Sequence, residues 1–289
     1  MSASQPLWIE DPGSFQSDLS HYWREGYAVV RGFFTRSEIT ELSDALEQLY
    51  AEGVSHGRCF RHGNLFYNVA QEDSEPLVRM VQWPSYHQPV LNAVRLDTRF
   101  LDLLAPLIGS ELKQIINQVH WKAPGSLGDF AWHQDSRFRR PQSAYRNLAT
   151  SYVQTGLAVD PHRPDSGCMR FIPRSHLRGD LDMDCSKKAM GSEMADGALA
   201  AVGLSAADAV DVLLEPGDLA LWSPYLVHGS GKNLSDHKRR LYINGYVRAS
   251  DCDRGEWAFR NGRPVPFGPK PALVHYEELY ERSEPHYTD

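Results

Sequence analysis

Short runs of strand-forming residues, separated by turn residues, fill the chain after Ser110. They are KQIINQVHWK, DFAWHQD, NLATSYVQTGLAVD, GCMRFIP, DVLLEP, GDLALWS, LVHGS and RRLYINGYVRAS. Runs of this length and spacing, in a chain with 18 prolines and 22 glycines to form turns, are typical of a sandwich or barrel and not of alternating βα units. We therefore expect a mainly β core.

The N-terminal part of the chain shows helical patterns instead. Residues 14–50 predict a helix, a strand and a second helix, and Thr35 with Glu38 forms a capping box at the start of the second helix. The apolar positions that follow share one helical face: Ile39, Leu42, Ala45, Leu46 and Leu49. Another helix is expected over 91–107, ending near Gly109. Residues 56–90 have weak periodicity and are expected to form a loop with short elements.

A chain of 289 residues is long enough for one large domain or two small ones. We expect one domain over 1–289. Its parts are a helical layer with loops (about 14–110), a β core (about 111–250) and a C-terminal extension (251–289). A polar surface insertion with one helix is expected over 177–210. The extension is expected to contain an ordered loop followed by a short helix.

Composition argues against several classes of function. A formal net charge of −7 does not suit a nucleic-acid partner, whose phosphates require a positive face. No stretch approaches the roughly 20 apolar residues of a membrane helix, and the N-terminal residues MSASQPLWIEDPGS lack a basic and apolar leader. The cysteines are far apart and do not resemble a zinc or disulfide framework: Cys59, Cys168, Cys185 and Cys252. We expect a cytoplasmic protein.

The run DFAWHQDSRF contains the strongest candidate for chemistry. His133 and Asp135 are two residues apart on a predicted strand, so their side chains project from the same face. A second imidazole can come from His228, at the end of another predicted strand. Two histidines and one carboxylate on one octahedral face suit non-heme Fe(II) oxygenases.

The His-x-Asp spacing alone is weak evidence. Chance predicts about 1.5 His-x-Asp/Glu triplets in a chain of this composition, and the sequence has two. The other pair, His275 and Glu277, is expected on a helix, where residues i and i+2 do not face each other, and is rejected. Without further context, such a pair is more often a surface or hydrogen-bonded pair than a set of metal ligands.

Six segments provide that context. They are EGYAVVRGFFT, KAPGS, WHQD, DSGCMRFIPRSH, EPGDLALW and HGSGKNLSDHKRR. In this order, over residues 20–250, they resemble the phytanoyl-CoA dioxygenase-like family of Fe(II)/2-oxoglutarate-dependent oxygenases. The resemblance implies a double-stranded β-helix (a jelly-roll, cupin-like core) with flanking helices, which uses Fe(II), 2-oxoglutarate and O2. It also implies that loops within 14–110 lie on the substrate side.

The resemblance implies roles for six residues. The metal ligands are His133, Asp135 and His228, and the 2-oxoglutarate contacts are Arg239, Ser230 and Gln118. A planar guanidinium can hold the distal carboxylate of 2-oxoglutarate with two parallel charged hydrogen bonds, which a lysine cannot do. Arg240 alternates to the opposite face of the strand and is the weaker candidate for this contact.

Substrate contacts are expected from two regions. The first is a cluster of arginines that is otherwise a solvated loop or an ion-pair network: Arg137, Arg139, Arg140 and Arg146. Arg137 is the best candidate among them, because it continues the alternation of the predicted strand. The second region is 61–71, where the family places residues that face substrate; its candidates, which are otherwise ordinary polar groups of a loop, are Asn64, Tyr67 and Asn68.

One position departs from the family. Many relatives have a tryptophan near the cofactor where this chain has Gly156, and Trp222, His120 or Thr155 are the candidates to compensate. His120, on one face with Gln118, either approaches the site or is a core histidine.

The implied reaction is hydroxylation, or another oxidation such as desaturation, with release of succinate and CO2. Asp135 retains the carboxylate that halogenating relatives lack, which argues against halogenation. The substrate is a small or medium organic molecule, and an anionic one is among the options. The alternatives are a cupin-like metal-binding protein and a Lewis-acid metalloenzyme without 2-oxoglutarate turnover. The sequence leaves open the substrate, the position oxidised and the choice between monomer and dimer.

Overall fold

Two β-sheets of unequal size form the centre of the structure. The computed structural model describes residues 8–9, 15–72, 74–125, 129–183, 189–190, 194–269 and 284–288. The strands are β1 (Trp8–Ile9), β2 (Tyr27–Val30), β3 (Phe60–His62), β4 (Leu65–Glu72), β5 (Glu75–Gln82), β6 (Leu112–Lys122), β7 (Phe130–His133), β8 (Tyr152–Ala158), β9 (Met169–Phe171), β10 (Val210–Val212), β11 (Leu219–Trp222), β12 (His228–Ser230), β13 (Arg239–Arg248), β14 (Glu256–Arg260), β15 (Arg263–Pro264) and β16 (His286–Tyr287). The helices are α1 (Phe15–Glu25), α2 (Arg36–His56), α3 (Pro89–Arg95), α4 (Thr98–Ile108), α5 (Leu148–Ser151) and α6 (Asp196–Ala201).

The strands from β6 to β13 form an antiparallel jelly roll. The large sheet has the order β1-β2-β11-β8-β13-β6-β5-β4-β3-β16, with β14 also paired to β6, and the small sheet has the order β10-β9-β12-β7. Within the jelly roll β6, β8, β11 and β13 belong to the large sheet, and β7, β9, β10 and β12 belong to the small one. This two-sheet arrangement is the double-stranded β-helix, so the expectation of a mainly β, jelly-roll core with flanking helices is confirmed.

Two apolar layers hold this arrangement together. Side chains from both sheets, such as Val29, Phe171 and Leu241, pack between the sheets. The outer face of the large sheet packs against the N-terminal helices, as Leu46 of α2 and Val119 of β6 do. Apolar side chains thus fill part of the space between the sheets, and the rest is available for polar groups.

The capping box at α2 is confirmed. The Thr35 hydroxyl accepts a hydrogen bond from the Glu38 amide, and the Glu38 carboxylate accepts one from the Thr35 amide. The apolar face expected for this helix is buried: Ile39, Leu42, Ala45, Leu46 and Leu49.

The expected loop over 56–90 is wrong, because this segment contains β3, β4 and β5, which extend the large sheet beyond β6. Burial alternates along β4, but hydrophobicity does not, since Phe66 and Asn68 share its half-buried face. Pairing with the neighbouring strand β5, and not a local pattern of hydrophobic residues, therefore determines that these residues form a strand.

The expectation of a single helix over 91–107 is also wrong, although the segment is helical. It is divided into α3 and α4, because the Asp97 carboxylate accepts a hydrogen bond from the Arg99 amide and starts a new helix.

The insertion and the C-terminal extension are only partly described. The helix expected within 177–210 is present as α6. Within 251–269 the expected loop is wrong, because β14 pairs with β6 and β15 pairs with β14. The short C-terminal helix expected around His275 and Glu277 lies outside the described residues. Among the helices that the structure describes, none has the length and apolar character needed to cross a membrane.

Gly217, in the turn before β11, connects the N-terminal loop to the jelly roll. Its φ is +96°, and a Cβ there would lie 2.3 Å from the Phe34 carbonyl oxygen. We expect Gly217→Ala to lower the free energy of unfolding by about 1–3 kcal/mol or more, from backbone strain and this contact. Urea unfolding measures the effect. Gly197→Ala, at a position where a Cβ meets nothing within 4 Å, is the control, and an equal loss in both variants would contradict the prediction.

Candidate active site

Three potential metal ligands meet between the sheets. His133 and His228 are directly opposite each other on β7 and β12, and their ring centroids are 4.2 Å apart. The Asp135 carboxylate lies 3.9 Å from His133 Nε2 and 3.8 Å from His228 Nε2. All three side chains are buried, and one potential ligand atom from each lies within 4.8 Å of the others.

The route from His133 to Asp135 differs from the one expected. β7 ends at His133, and Asp135 begins a 3-10 turn, Asp135–Phe138. The side-chain amide nitrogen of Gln134, Nε2, donates hydrogen bonds to the backbone carbonyls of Gly179 (2.8 Å) and Tyr225 (2.6 Å). This anchored corner, and not strand alternation, directs the Asp135 carboxylate toward the two imidazoles.

Backbone carbonyls orient both histidine rings. His133 Nδ1 donates to the Ala131 carbonyl at 2.7 Å, and His228 Nδ1 donates to the Leu226 carbonyl at 2.9 Å. A carbonyl can only accept, so Nδ1 carries the proton in each ring and the Nε2 lone pair is available to a metal. Burial lowers the pKa of His133 to about 3, with a further contribution from His228, so the His133 imidazole is neutral at neutral pH.

The Asp135 carboxylate is held in its ionised form. Burial raises its pKa, but His228, His133, Arg139 and a hydrogen bond from Trp222 together lower it below the ordinary value. Trp222 Nε1 donates to Asp135 Oδ2 at 2.9 Å.

The Trp222 indole also explains the departure at Gly156. A Cβ at Gly156 would lie 3.2 Å from the Trp222 ring and 3.2 Å from Leu241. Trp222 thus occupies the space beside Gly156, and a larger residue there would displace it.

A cavity of about 460 Å³ surrounds the three ligands. Its described lining includes every residue for which the family implies a role in metal or 2-oxoglutarate binding: His133, Asp135, His228, Arg239, Ser230 and Gln118. Arg137 lines it as well. His120 also lines it, with its ring stacked on Phe130 and hydrogen-bonded to Gln118 at 2.9 Å.

One end of the cavity carries the buried Arg239, with the buried Lys122 beside it; burial lowers the pKa of Lys122 well below its ordinary value. Arg239 begins β13 and is directly opposite Lys122 of β6. Lys122 Nζ donates to Ser230 Oγ at 2.8 Å. Arg239 Nε and Nη1 are buried and have no hydrogen-bond partner in the described part of the chain. Burial lowers the pKa of Arg239 to about 10, so it is still a cation at neutral pH.

Arg240 lies on the other face of β13, as expected. Its guanidinium forms ion pairs with Asp160 and Glu47. It is not part of the described cavity lining.

The residues expected from 61–71 do not line the cavity. Tyr67 is fully buried in the core beneath α2, and Asn64 and Asn68 are outside the described lining. From this part of the sheet the cavity takes Met80 and Gln82 of β5 instead.

Sequence reasoning passed over three residues of the site. Lys122 was visible only as the first residue of the KAPGS segment, and Trp222 only as a candidate to compensate for Gly156. Arg139 was one of four arginines, and the 3-10 turn, which sequence alternation does not indicate, makes it the buried one.

Comparisons with known proteins agree with this arrangement. The "Dioxygenase lolE1" of Epichloe uncinata is 26% identical over 239 residues, covering 81% of this chain and 83% of the relative. The 2-aminoethylphosphonate dioxygenase of uncultured bacterium HF130_AEPn_1 is 22% identical over 252 residues, covering 86% and 88%. The crystal structure of EctD from S. alaskensis with 2-oxoglutarate and 5-hydroxyectoine shares the fold, with a TM-score of 0.63 at 19% identity, covering 95% of this chain and 91% of that one. Residues 22–241 match the family described as phytanoyl-CoA dioxygenase (PhyH), and the chain therefore belongs to that family.

Proposed function

We propose that this protein is an Fe(II)/2-oxoglutarate-dependent dioxygenase that hydroxylates or otherwise oxidises a small or medium organic substrate. The observation that carries the proposal is the juxtaposition of a His133, Asp135 and His228 cluster with a buried, unpartnered Arg239 in one cavity. A cupin-like metal-binding protein needs the first of these features but not the second. Family membership supports the same activity.

The three ligand residues fit Fe(II). Two imidazoles whose Nε2 atoms face the site and one ionised carboxylate form the donor set of a facial triad. Such a triad leaves coordination positions open for a cosubstrate and O2. His133, Asp135 and His228 are thus proposed as the metal ligands.

The cationic end of the cavity fits the distal carboxylate of 2-oxoglutarate. Arg239 is a buried cation whose Nε and Nη1 lack hydrogen-bond partners among the described residues, which is unfavourable without an anion beside it. Lys122, opposite Arg239 on the neighbouring strand, is already hydrogen-bonded to Ser230. Ser230, whose hydroxyl accepts a hydrogen bond from Lys122, can donate its own proton to a carboxylate oxygen. Gln118 is proposed to line the cosubstrate pocket.

Bound at this site, Fe(II) with 2-oxoglutarate and O2 supplies the oxidation of a substrate C–H bond and releases succinate and CO2. The residues of the chain contribute position and exclusion of water. Trp222 holds one oxygen of the Asp135 carboxylate, and the carbonyls of Ala131 and Leu226 hold the two rings. The apolar side chains of Met169, Leu241 and Ile243 line the same cavity.

We also propose that the described residues act as one oxygenase domain. The helical layer shares an apolar core with the large sheet, in which Leu46 and Leu104 pack with Val119. Separating the helices from the sheet would expose this core to water.

A cytoplasmic location is proposed from the thiols. Cys59, Cys168 and Cys252 are free in the structure, and the latter two are buried. Free thiols are typical of a reducing compartment. Cys185 lies outside the described residues.

Anaerobic titration of the apoprotein with Fe(II), followed by 2-oxoglutarate, tests the proposed function. We expect the weak visible charge-transfer band of an Fe(II)–2-oxoglutarate chelate, because the triad leaves positions for both oxygens of the keto acid. The band should be lost in His228→Ala and kept in His237→Ala, which removes an exposed histidine. Binding of Fe(II) without a band would favour a Lewis-acid or metal-binding protein instead.

Removing the proposed carboxylate clamp should separate the two binding steps. We expect Arg239→Ala to weaken 2-oxoglutarate binding about 10- to 100-fold, because charge-assisted hydrogen bonds are lost, while Fe(II) affinity stays close to that of the wild type. Isothermal titration calorimetry under nitrogen measures both. The control is Lys238→Ala at the neighbouring exposed position. Wild-type 2-oxoglutarate affinity in Arg239→Ala would refute the assignment.

The hydrogen bond from Trp222 to Asp135 should affect metal affinity. We expect Trp222→Phe to weaken Fe(II) binding about 10- to 100-fold, because partners of metal ligands orient them. Competition with a chelating dye measures the dissociation constant. Trp121→Phe is the matched control, since the buried Trp121 indole nitrogen has no partner among the described residues. Equal Fe(II) affinity in the two variants would show that this hydrogen bond is dispensable.

A further inference from the structure

Arg139 is a buried cation in the wall of the cavity. It directly follows the 3-10 turn that begins at Asp135, and only 1% of its surface is exposed. Its guanidinium carbon lies 5.3 Å from the centroid of the Tyr152 ring. Arg139 lines the same cavity as the three proposed metal ligands.

Two nitrogens of the Arg139 guanidinium lack hydrogen-bond partners. Nε and Nη1 are buried without a hydrogen bond, and no ion pair to Arg139 is formed by the residues that the structure describes. Aromatic contact with Tyr152 does not replace hydrogen bonds to the N–H groups. The Asp135 carboxylate interacts electrostatically with this charge but forms no hydrogen bond to it. Buried N–H groups without acceptors are costly, so an anion that enters the cavity can bind Arg139 by satisfying them.

The neighbouring arginines differ from Arg139. Arg140 is exposed and donates to the carbonyl of Arg139, and Arg146 is exposed and paired with Asp253 through two hydrogen bonds. Arg137 is partly exposed. Arg139 is thus the member of the cluster whose charge is enclosed by the protein.

The two guanidiniums belong to different parts of the cavity wall. Arg239 begins β13, whereas Tyr152, which contacts Arg139, is opposite Val247 near the other end of that strand. Eight residues of strand separate Arg239 from Val247, which is about 26 Å of backbone. An anion held by Arg239 therefore leaves Arg139 available for a second one.

We propose that Arg139 binds the anionic group of the substrate, so that the substrate of this enzyme is a small molecule with a carboxylate or phosphonate group. This inference rests on the proposed function, in which Arg239 holds 2-oxoglutarate. The guanidinium anchors one end of the substrate and leaves its carbon chain next to the metal ligands, because Arg139 and Asp135 flank the same turn. Arg137, nearer the solvent, is not required for this contact.

Anaerobic calorimetry on the protein loaded with Fe(II) and saturating 2-oxoglutarate tests this proposal. Absence of O2 prevents turnover, and occupied Arg239 cannot take the probe. The probes are butanoate and propylphosphonate, which distinguish the two kinds of anion, and butanamide as the neutral analogue. We expect wild-type protein to bind at least one of the anions more tightly than butanamide.

Arg139→Met should weaken binding of that anion about 10- to 100-fold, and Arg146→Met should leave it unchanged. Arg139→Lys, which keeps the charge without the planar fork, should show an intermediate loss and guards against misfolding of the methionine variant. Wild-type anion affinity in Arg139→Met would overturn the proposal, as would anion binding no tighter than butanamide binding in the wild type.

The 2-oxoglutarate titration separates this inference from the function on which it rests. Wild-type protein that fails to bind 2-oxoglutarate contradicts the proposed function. If Arg139→Met binds 2-oxoglutarate like the wild type but binds the anionic probe more weakly, the result supports both the proposed function and the role of Arg139. Loss of 2-oxoglutarate binding in Arg139→Met with retention in Arg239→Ala would make Arg139 the cosubstrate clamp and overturn the proposal.

Discussion

Charge buried between two sheets is the constraint on which the rest of this structure depends. A carboxylate and two guanidiniums line one cavity, where each would be strongly destabilising if left unpaired. Asp135 is compensated by two imidazoles and an indole N–H, but Arg139 and Arg239 keep buried nitrogens without partners. Burial of the apolar layers of the jelly roll stabilises the fold, and this offsets the free-energy cost of keeping such charged groups buried.

The jelly roll suits this task because its strands bring distant segments together. His133 and His228 are far apart in the chain and directly opposite each other in the small sheet. Arg239 and Lys122 are opposite each other in the large sheet. Each pair is held by strand pairing, so these side chains are positioned by rigid elements.

Parts of the fold and site were predictable because they depend on residues close together in the sequence, or on the order of whole sequence segments. The capping box at α2 involves residues three apart, and the strand runs after Ser110 carry their own turn residues. β3 to β5 were missed because pairing with β6 and packing beneath α2 determine them, so that Tyr67 enters the core instead of the cavity. The alternation from His133 to Arg137 failed for a related reason, since Gln134 is anchored by the carbonyls of distant loops and ends the strand.

The sequence by itself determined the mainly β class, the family resemblance and the candidate ligands, because residue types, spacings and the order of six segments are properties of the chain alone. Only the tertiary structure decided which nitrogen of each histidine is free, which of four neighbouring arginines is buried, and what fills the space beside Gly156. These outcomes depend on contacts between residues far apart in the chain. Burial and partner geometry, which set the charge and reactivity of a side chain, exist only once those contacts have formed.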